Sequence, residues 1–139
     1  MPVSDSLPIV EGLTTTPSRF GPKETVARLE QEVRAKGLTI FAVIDHAAGA
    51  ADVGISLRST TVIIFGNARG GTPLMQSAQT CGIDLPLKAL VWQDAAGQTW
   101  ISYNQPEWIV RRHCAVNAED SVTKMADLLT AISRTAAGS

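Results

Sequence analysis

Residues 65–75 read Phe-Gly-Asn-Ala-Arg-Gly-Gly-Thr-Pro-Leu-Met, and this segment constrains the fold more than any other part of the chain. It predicts a buried strand, a tight turn made by Gly70 and Gly71, and a helix that begins near Pro73. The side chain of Thr72 can cap that helix, and proline suits its first position because the missing N–H would have no helical partner. Such a corner gathers free backbone N–H groups and the positive end of a helix dipole, so it is a candidate anion site.

Length and charge limit the classes of protein to which the chain can belong. A chain of 139 residues fits a single domain, which we assign to residues 9–136, after a polar tail at residues 1–8 that we expect to be poorly ordered. The formal net charge is −1 and the pI is about 6.1, which argues against nucleic-acid binding because nucleic-acid-binding domains carry a basic surface. The longest apolar run, residues 62–65, is too short to span a membrane. The N-terminal residues also lack a signal-peptide pattern, so we expect no membrane contact and a cytoplasmic protein.

The spacing of apolar residues predicts the order of helices and strands. The predicted strands are residues 9–16, 38–44, 60–65, 87–93 and 98–104. The predicted helices are residues 23–36, a short one within 45–58, 73–81, a short one from 106, and a last one capped by Asn117 or Asp120. The strand at residues 60–65 is apolar on both faces, which predicts that it is covered on both sides. Because residues 94–97 form a hairpin loop, which a regular parallel fold would not normally contain, the order favours the α+β class.

Further motifs carry a resemblance to a known family. They are residues 45–50 (Asp-His-Ala-Ala-Gly-Ala), 82–87 (Gly-Ile-Asp-Leu-Pro-Leu), 91–92 (Val-Trp), 102–104 (Ser-Tyr-Asn) and 112–113 (Arg-His). Together with residues 65–75 they closely resemble the bacterial and archaeal family called domain of unknown function 302, over about residues 10–132. The resemblance implies a curved, mainly antiparallel sheet packed against helices, in the style of the TATA-binding protein, and a homodimer. It implies no established reaction.

The polar residues of these motifs lie at predicted strand ends and turns, where functional residues concentrate because such positions vary without disturbing the core. The candidate ligand-binding residues are His46, Asn67, Arg69, Gly71, Thr72, Tyr103 and His113. His46 and Tyr103 would supply a titratable and a hydroxyl contact, and Asn67 and the backbone of residues 70–72 would supply amide donors. We therefore expect a small molecule or an anion to bind at the rim of the sheet. A plain turn and helix start, without a ligand, stays open as the alternative.

Two other functions stay open at this point. In the first, the protein is an enzyme of unknown class with His46 as general base, since histidine titrates near neutral pH; the structural alternative is that His46 only fixes the turn. In the second, the protein handles a metal or haem through His46 and His113, with Cys114 or Met75. The spacing of these residues matches no zinc motif, so we assign no metal site, and the cofactor is left open.

Aromatic residues concentrate on the predicted hairpin. Strand alternation places Trp100 and Ser102 on one face and Tyr103 on the other. One face must cover the core, and the other is solvated or forms a pocket floor or an interface, where aromatic side chains are common. A self-associating domain that uses this face and binds no ligand is the remaining alternative.

Overall fold

The computed structural model describes residue 7 and residues 9–139. In chain order its helices and strands are β1 (Leu13–Ser18), α1 (Pro22–Ala35), β2 (Thr39–Asp45), α2 (His46–Asp52), β3 (Thr60–Gly66), α3 (Ala68–Ser77), β4 (Leu87–Gln93), β5 (Thr99–Asn104), α4 (Pro106–Arg112) and α5 (Glu119–Ala137). A 3-10 helix, Gln79–Ile83, lies between α3 and β4. The predicted tail at residues 1–8 lies outside the described residues except for residue 7, and the domain bounds 9–136 stay a prediction.

The strands form one five-stranded sheet in the order β1-β5-β4-β3-β2. Every neighbouring pair is antiparallel, so the predicted α+β class with a mainly antiparallel sheet is confirmed. The strand β1 begins later than predicted because Gly12, at φ +75°, makes a turn directly before it. The hairpin of β4 and β5 is confirmed close to its predicted bounds.

The core lies on one face of the sheet. Alternate residues of β3, namely Thr61, Ile63 and Phe65, are buried there with side chains of α1 and α5. The intervening Val62 and Ile64 point to the opposite face and are only half-buried. The prediction that this strand is covered on both sides therefore holds for one face, and the second face is only partly covered. The strand is apolar on both faces, but only one face is fully buried and the other is half-buried.

The helix α3 begins earlier than predicted, at Ala68, and its N-cap residue is Asn67. The side-chain Oδ1 of Asn67 accepts a hydrogen bond from the backbone N–H of Gly70 at 2.7 Å. Thr72 and Pro73 lie inside the helix, so the predicted cap at Thr72 and the helix start at Pro73 were wrong. The physical reason is that asparagine is among the strongest N-cap residues, and the glycine pair that follows it can also adopt helical geometry.

The start of the last helix also differs from the prediction. The helix α5 begins at Glu119, and its N-cap position is held by Ala118, not by Asn117 or Asp120. Asn117 adopts a positive φ of 56° and Asp120 lies in the first turn. Met125, Leu129 and Ile132 form an apolar stripe along α5, and all three are buried. This stripe packs α5 against the core and thereby sets the orientation of the N-terminal half of the helix.

Candidate functional site

A cavity of about 610 Å³ opens at the corner where β3 leads into α3, and we call it the corner cavity. Every residue from Gly66 to Pro73 lines it, and residues of α5 and of the start of β2 complete its walls. Small-molecule sites commonly have volumes of about 300–1,000 Å³. Residues 66–73 therefore form one wall of a space large enough for a metabolite.

The other walls of the corner cavity are largely apolar. They include Phe41, Met75, Leu85, Met125 and Leu128. Methionine side chains are flexible and polarizable, so a wall that contains them adapts to different ligand shapes. An apolar ligand surface could therefore be buried here with little rearrangement of the backbone.

Two cationic side chains line the corner cavity from different helices. Arg69 lies in the first turn of α3, and Lys124 lies on α5. Among the described residues, neither has a carboxylate partner within 4.0 Å. Both are exposed. They give the cavity a positive character that carboxylates of the described chain do not neutralise.

The backbone amides that were expected to bind an anion are partly used within α3 itself. The N–H of Gly70 donates to Oδ1 of Asn67, and the N–H of Gly71 points to the carbonyl oxygen of Asn67 at 3.3 Å. A glycine turn would have left these groups free, whereas a helix uses them for its cap and its first turn. Side chains, more than these two amides, are therefore the available polar groups of the corner.

The structure brings together only some of the predicted ligand-binding residues. Asn67, Arg69, Gly71 and Thr72 all line the corner cavity. The remaining three are placed elsewhere, and none of them lines it: His46 is exposed at the start of α2, Tyr103 is buried in β5, and His113 follows the end of α4.

Several cavity residues were not found from the sequence. Phe41 occupies a β-bulge, where the register of β2 against β3 shifts between Ile40 and Ala42. A bulge changes the direction of a side chain, and Phe41, which lines the cavity, is 55% exposed. Lys124 and Met125 are distant in sequence from the corner. For Lys124, the available signal was its helical spacing with Ser121 and Leu128, which places the three residues on one face of α5. That spacing does not show which part of the fold this face contacts.

A second polar cluster surrounds His113. Its Nδ1 lies 2.9 Å from Oγ1 of Thr80, and its Nε2 lies 2.5 Å from Oδ2 of Asp84. Nη1 of Arg112 donates to both carboxylate oxygens of Asp84, at 2.8 and 2.9 Å. Partial burial acts to raise the pKa of Asp84, but the hydrogen bonds from His113 and Arg112 outweigh it and hold that pKa below the ordinary value of 3.8. The cluster joins the end of α4 to the segment between α3 and β4.

The residues proposed for metal or haem binding do not form a recognisable centre. In the part of the chain that the structure describes, no three His, Cys, Asp or Glu side chains form a group that could hold a metal ion. Cys114 is exposed and adopts a positive φ of 54°, whereas His113 faces Asp84 and Thr80. The two residues therefore have different surroundings.

Comparison with known proteins places this chain in a family. The sequence profile described as domain of unknown function DUF302 matches residues 14–133. The chain belongs to the DUF302 family. Its fold is similar to the crystal structure of the uncharacterized conserved protein DUF302 from Bacillus stearothermophilus, with a TM-score of 0.81 over 91% of this chain and 99% of that chain. At 18% identity, this similarity shows the fold alone.

Curated relatives of this DUF302 protein are named as channels. The fluoride-specific ion channel FluC 1 of Brucella suis biovar 1 (strain 1330) is 40% identical over 116 residues, which are 84% of this chain and 46% of that protein. The fluoride-specific ion channel FluC 2 of Brucella melitensis biotype 1 (strain ATCC 23456 / CCUG 17765 / NCTC 10094 / 16M) is also 40% identical, over 43% of its own length. The chain thus spans less than half the length of these relatives. Among the described residues, no helix has the length and apolar character needed to cross a membrane.

Proposed function

We propose that this DUF302 protein is a ligand-binding domain and that the corner cavity is its binding site. The observation that carries the proposal is the coincidence of the cavity, about 610 Å³, with residues 66–73, the most distinctive segment of the sequence. Asn67, Arg69, Gly71 and Thr72 are the predicted ligand residues that we retain for this site. His46, Tyr103 and His113 do not line the cavity, so we propose no contact from them to this ligand.

The test of this proposal uses the fluorescent dye 8-anilinonaphthalene-1-sulfonate and a variant that fills the cavity. A Cβ at Gly71 would lie 3.6 Å from Cδ1 of Leu85 and 3.7 Å from Cε of Met75, both on the cavity wall. A leucine at this position would therefore project into the cavity from a helical backbone. Gly49→Leu is the matched control: it is also helical, and no described atom beyond its own neighbours lies within 4 Å of its Cβ position.

We expect saturable dye binding to the native protein and to Gly49→Leu, with at least about tenfold weaker binding to Gly71→Leu, since tenfold corresponds to a modest loss of contact energy. Gly71→Ala, which makes only ordinary contacts, should lie between them. Thermal unfolding followed by circular dichroism shows whether each variant is folded. Equal dye binding by native protein and folded Gly71→Leu would overturn the proposal.

We also propose that the chain forms a homodimer through the edge of the sheet at β2. This strand pairs only with β3 among the described strands, and Val43 and Ile44 on it are 42% and 43% exposed. The segment that follows α2 adds the exposed side chains Val53, Ile55 and Leu57. An apolar edge strand is a template for pairing, and antiparallel pairing with a second copy about a two-fold axis is self-complementary.

The aromatic hairpin face supports the dimer contact less well. Trp92 and Trp100 stack on each other with ring centroids 6.2 Å apart. Their indole N–H groups donate to Ser102 and Asp94 respectively. Both rings are half-buried, and their N–H groups already have acceptors within one chain. They therefore provide less unpaired surface for contact with a second copy than β2 does.

Light scattering after size-exclusion chromatography tests the dimer at β2. Ile44→Lys should shift the protein toward a monomer, because a charge would have to be buried at the contact. Ile83→Lys is the matched control, since Ile83 is 74% exposed and lies in the 3-10 helix away from β2. A native protein that is monomeric, or an Ile44→Lys variant that stays dimeric, would contradict this part of the proposal.

A second candidate function comes from the names of the Brucella relatives. Because this chain matches 43–46% of each relative, we propose that the shared part is an accessory domain of a fluoride-handling system and that conduction belongs to the remaining part. The test is thermal unfolding in sodium fluoride against sodium chloride at equal ionic strength. A rise in the unfolding temperature that occurs only in fluoride and disappears in Arg69→Gln would support fluoride binding in the corner cavity. Equal unfolding curves in the two salts would exclude fluoride as a ligand of this domain.

The enzyme hypothesis with His46 as general base stays a prediction. The imidazole of His46 is exposed at the first position of α2. The hypothesis would be established by a substrate that the native protein turns over and His46→Ala does not, together with a limb of the pH–rate profile that depends on His46. A binding domain instead gives saturable ligand without product.

A further inference from the structure

We propose that the corner cavity selects a small amphipathic organic anion, with one carboxylate-type head group and an aliphatic body. This inference rests on the proposed function, because it requires that the cavity binds a ligand. It adds the chemical class of that ligand. Three features of the described residues support it: the two cations, the position of one of them in α3, and the apolar side chains that line the same cavity.

The first feature is the convergence of two cations on one cavity. Arg69 belongs to α3 and Lys124 to α5, so separate parts of the chain place them at the same space. The described residues provide no carboxylate within 4.0 Å of either one. Two cations that line one cavity without carboxylate partners favour binding of an anion from solution.

The second feature is the unfavourable position of Arg69 within its own helix. A cation in the first turn opposes the helix dipole, which favours acidic residues there. The first turn of α3 contains no acidic residue, whereas those of α1, α4 and α5 do. Arg69 therefore does not serve the stability of α3. Residues that break a local rule in this way are common at functional sites, and an anion at this place would interact favourably with both Arg69 and the dipole.

The third feature separates an amphipathic anion from an inorganic one. The cavity walls include the exposed ring of Phe41, the side chain of Leu85 and the flexible thioethers of Met75 and Met125. Burial of an aliphatic chain against such surface is favourable because it removes apolar area from water. An inorganic anion would use the cations and leave this surface exposed to water. A ligand with a charged head and an apolar body uses both.

Hydroxyl groups also line the cavity. Thr72 and Ser121 both line it, and no side-chain hydrogen bond of theirs is formed with the rest of the described chain. A hydroxyl can donate to a carboxylate oxygen. A carboxylate, which accepts several hydrogen bonds, matches two cations and two hydroxyls better than a neutral head group does.

The experiment measures displacement of bound 8-anilinonaphthalene-1-sulfonate by three probes: octanoate, octanamide and inorganic phosphate. Octanoate and octanamide share the same chain and differ in charge, while phosphate has charge without an apolar body. The proteins are the native chain, the double variant Arg69→Gln/Lys124→Gln and the control Lys36→Gln. Lys36 is an exposed cation at the C-cap of α1 and does not line the cavity.

We expect octanoate to displace the dye from the native protein at a concentration at least about tenfold lower than octanamide, as charge-assisted hydrogen bonds are roughly twice as strong as neutral ones. The ratio should fall to near one in the double variant and stay unchanged in Lys36→Gln. Phosphate should compete weakly. Equal competition by octanoate and octanamide, a ratio that survives in the double variant, or phosphate competition as strong as that of octanoate would overturn the inference.

The outcomes also separate this inference from the proposed function. If octanamide competes as well as octanoate, and both lose binding in Gly71→Leu, the cavity binds ligands without selecting charge. In that case only the further inference fails. If dye binding is unaffected in folded Gly71→Leu, the cavity is not the binding site and both proposals fail.

Discussion

The imidazole Nε2 of His113 lies within hydrogen-bonding distance of a carboxylate oxygen of Asp84, and both side chains are largely buried. Arg112 donates to the same carboxylate. The residue Asp84 ends the 3-10 helix, whereas His113 and Arg112 end α4. One carboxylate therefore ties two irregular connections of the chain to each other, and its charge state should affect stability.

We predict that the free energy of unfolding decreases as the pH falls below about 4. The pKa of Asp84 is lower in the folded protein than its ordinary value of 3.8. A group of this kind stabilises the fold above its unfolded pKa, and the contribution is lost as the pH falls toward the folded pKa. The measurement is urea unfolding of the native protein and of Asp84→Asn between pH 7 and pH 3.

The variant Asp84→Asn should lose about 1–3 kcal/mol at pH 7, because it removes charged hydrogen bonds from buried groups. Its stability should then depend less on pH than that of the native protein. Asp127→Asn is the control, since Asp127 is exposed on α5. Parallel pH curves for the native protein and Asp84→Asn would show that this carboxylate does not contribute as described.

We predict that Gly12→Ala strongly destabilises the protein. Gly12 has a φ of +75°, and a Cβ there would lie only 2.2 Å from Cγ of Trp108. Overpacking of this kind costs about 1–3 kcal/mol, and the left-handed backbone adds strain for a residue with a side chain. Gly21→Ala is the matched control, because no described atom beyond its neighbours comes within 4 Å of its Cβ position. Similar urea midpoints for the two variants would contradict this reading of the contact.

We predict that Asn67, and not Thr72, caps the helix α3. Asn67→Ala should lose about 0.5–2 kcal/mol of stability, the usual effect of removing an N-cap side chain. Asn67→Asp should retain the cap, since its carboxylate can accept the N–H of Gly70. Thr72→Ala should change the free energy of unfolding little. Chemical denaturation decides between the two positions, and a larger loss in Thr72→Ala would favour the helix start at Pro73.

The sequence was most informative where the pattern is local. The hairpin of β4 and β5 could be predicted because alternation and a short polar loop specify it without help from the rest of the chain. The helix α1 was equally accessible, since its stripe of Leu29 and Val33 ends before Gly37. The start of α3 was mispredicted because the glycine pair and Pro73 dominate the local signal, although Asn67 determines the outcome.

The candidate site was only half accessible from the sequence, since it is built from distant segments. Arg69 could be found because it lies within a distinctive motif. Lys124 could not, because its meeting with Arg69 depends on how α5 packs against the sheet. His113 was placed with the ligand residues because it is polar and belongs to a motif, but the fold pairs it with Asp84. Contacts between distant segments decide which motif residues share a site, and local sequence patterns do not reveal those contacts.

Ligand binding in the corner cavity is tested most directly by an NMR titration. Octanoate would be added to ¹⁵N-labelled protein while the backbone amide shifts are followed. We predict that the largest shift changes occur at residues 67–72 and, on α5, at Ser121, Lys124, Met125 and Leu128, which all line the cavity. Changes concentrated around His46 or around Trp92 and Trp100, or no saturable change at any amide, would contradict it.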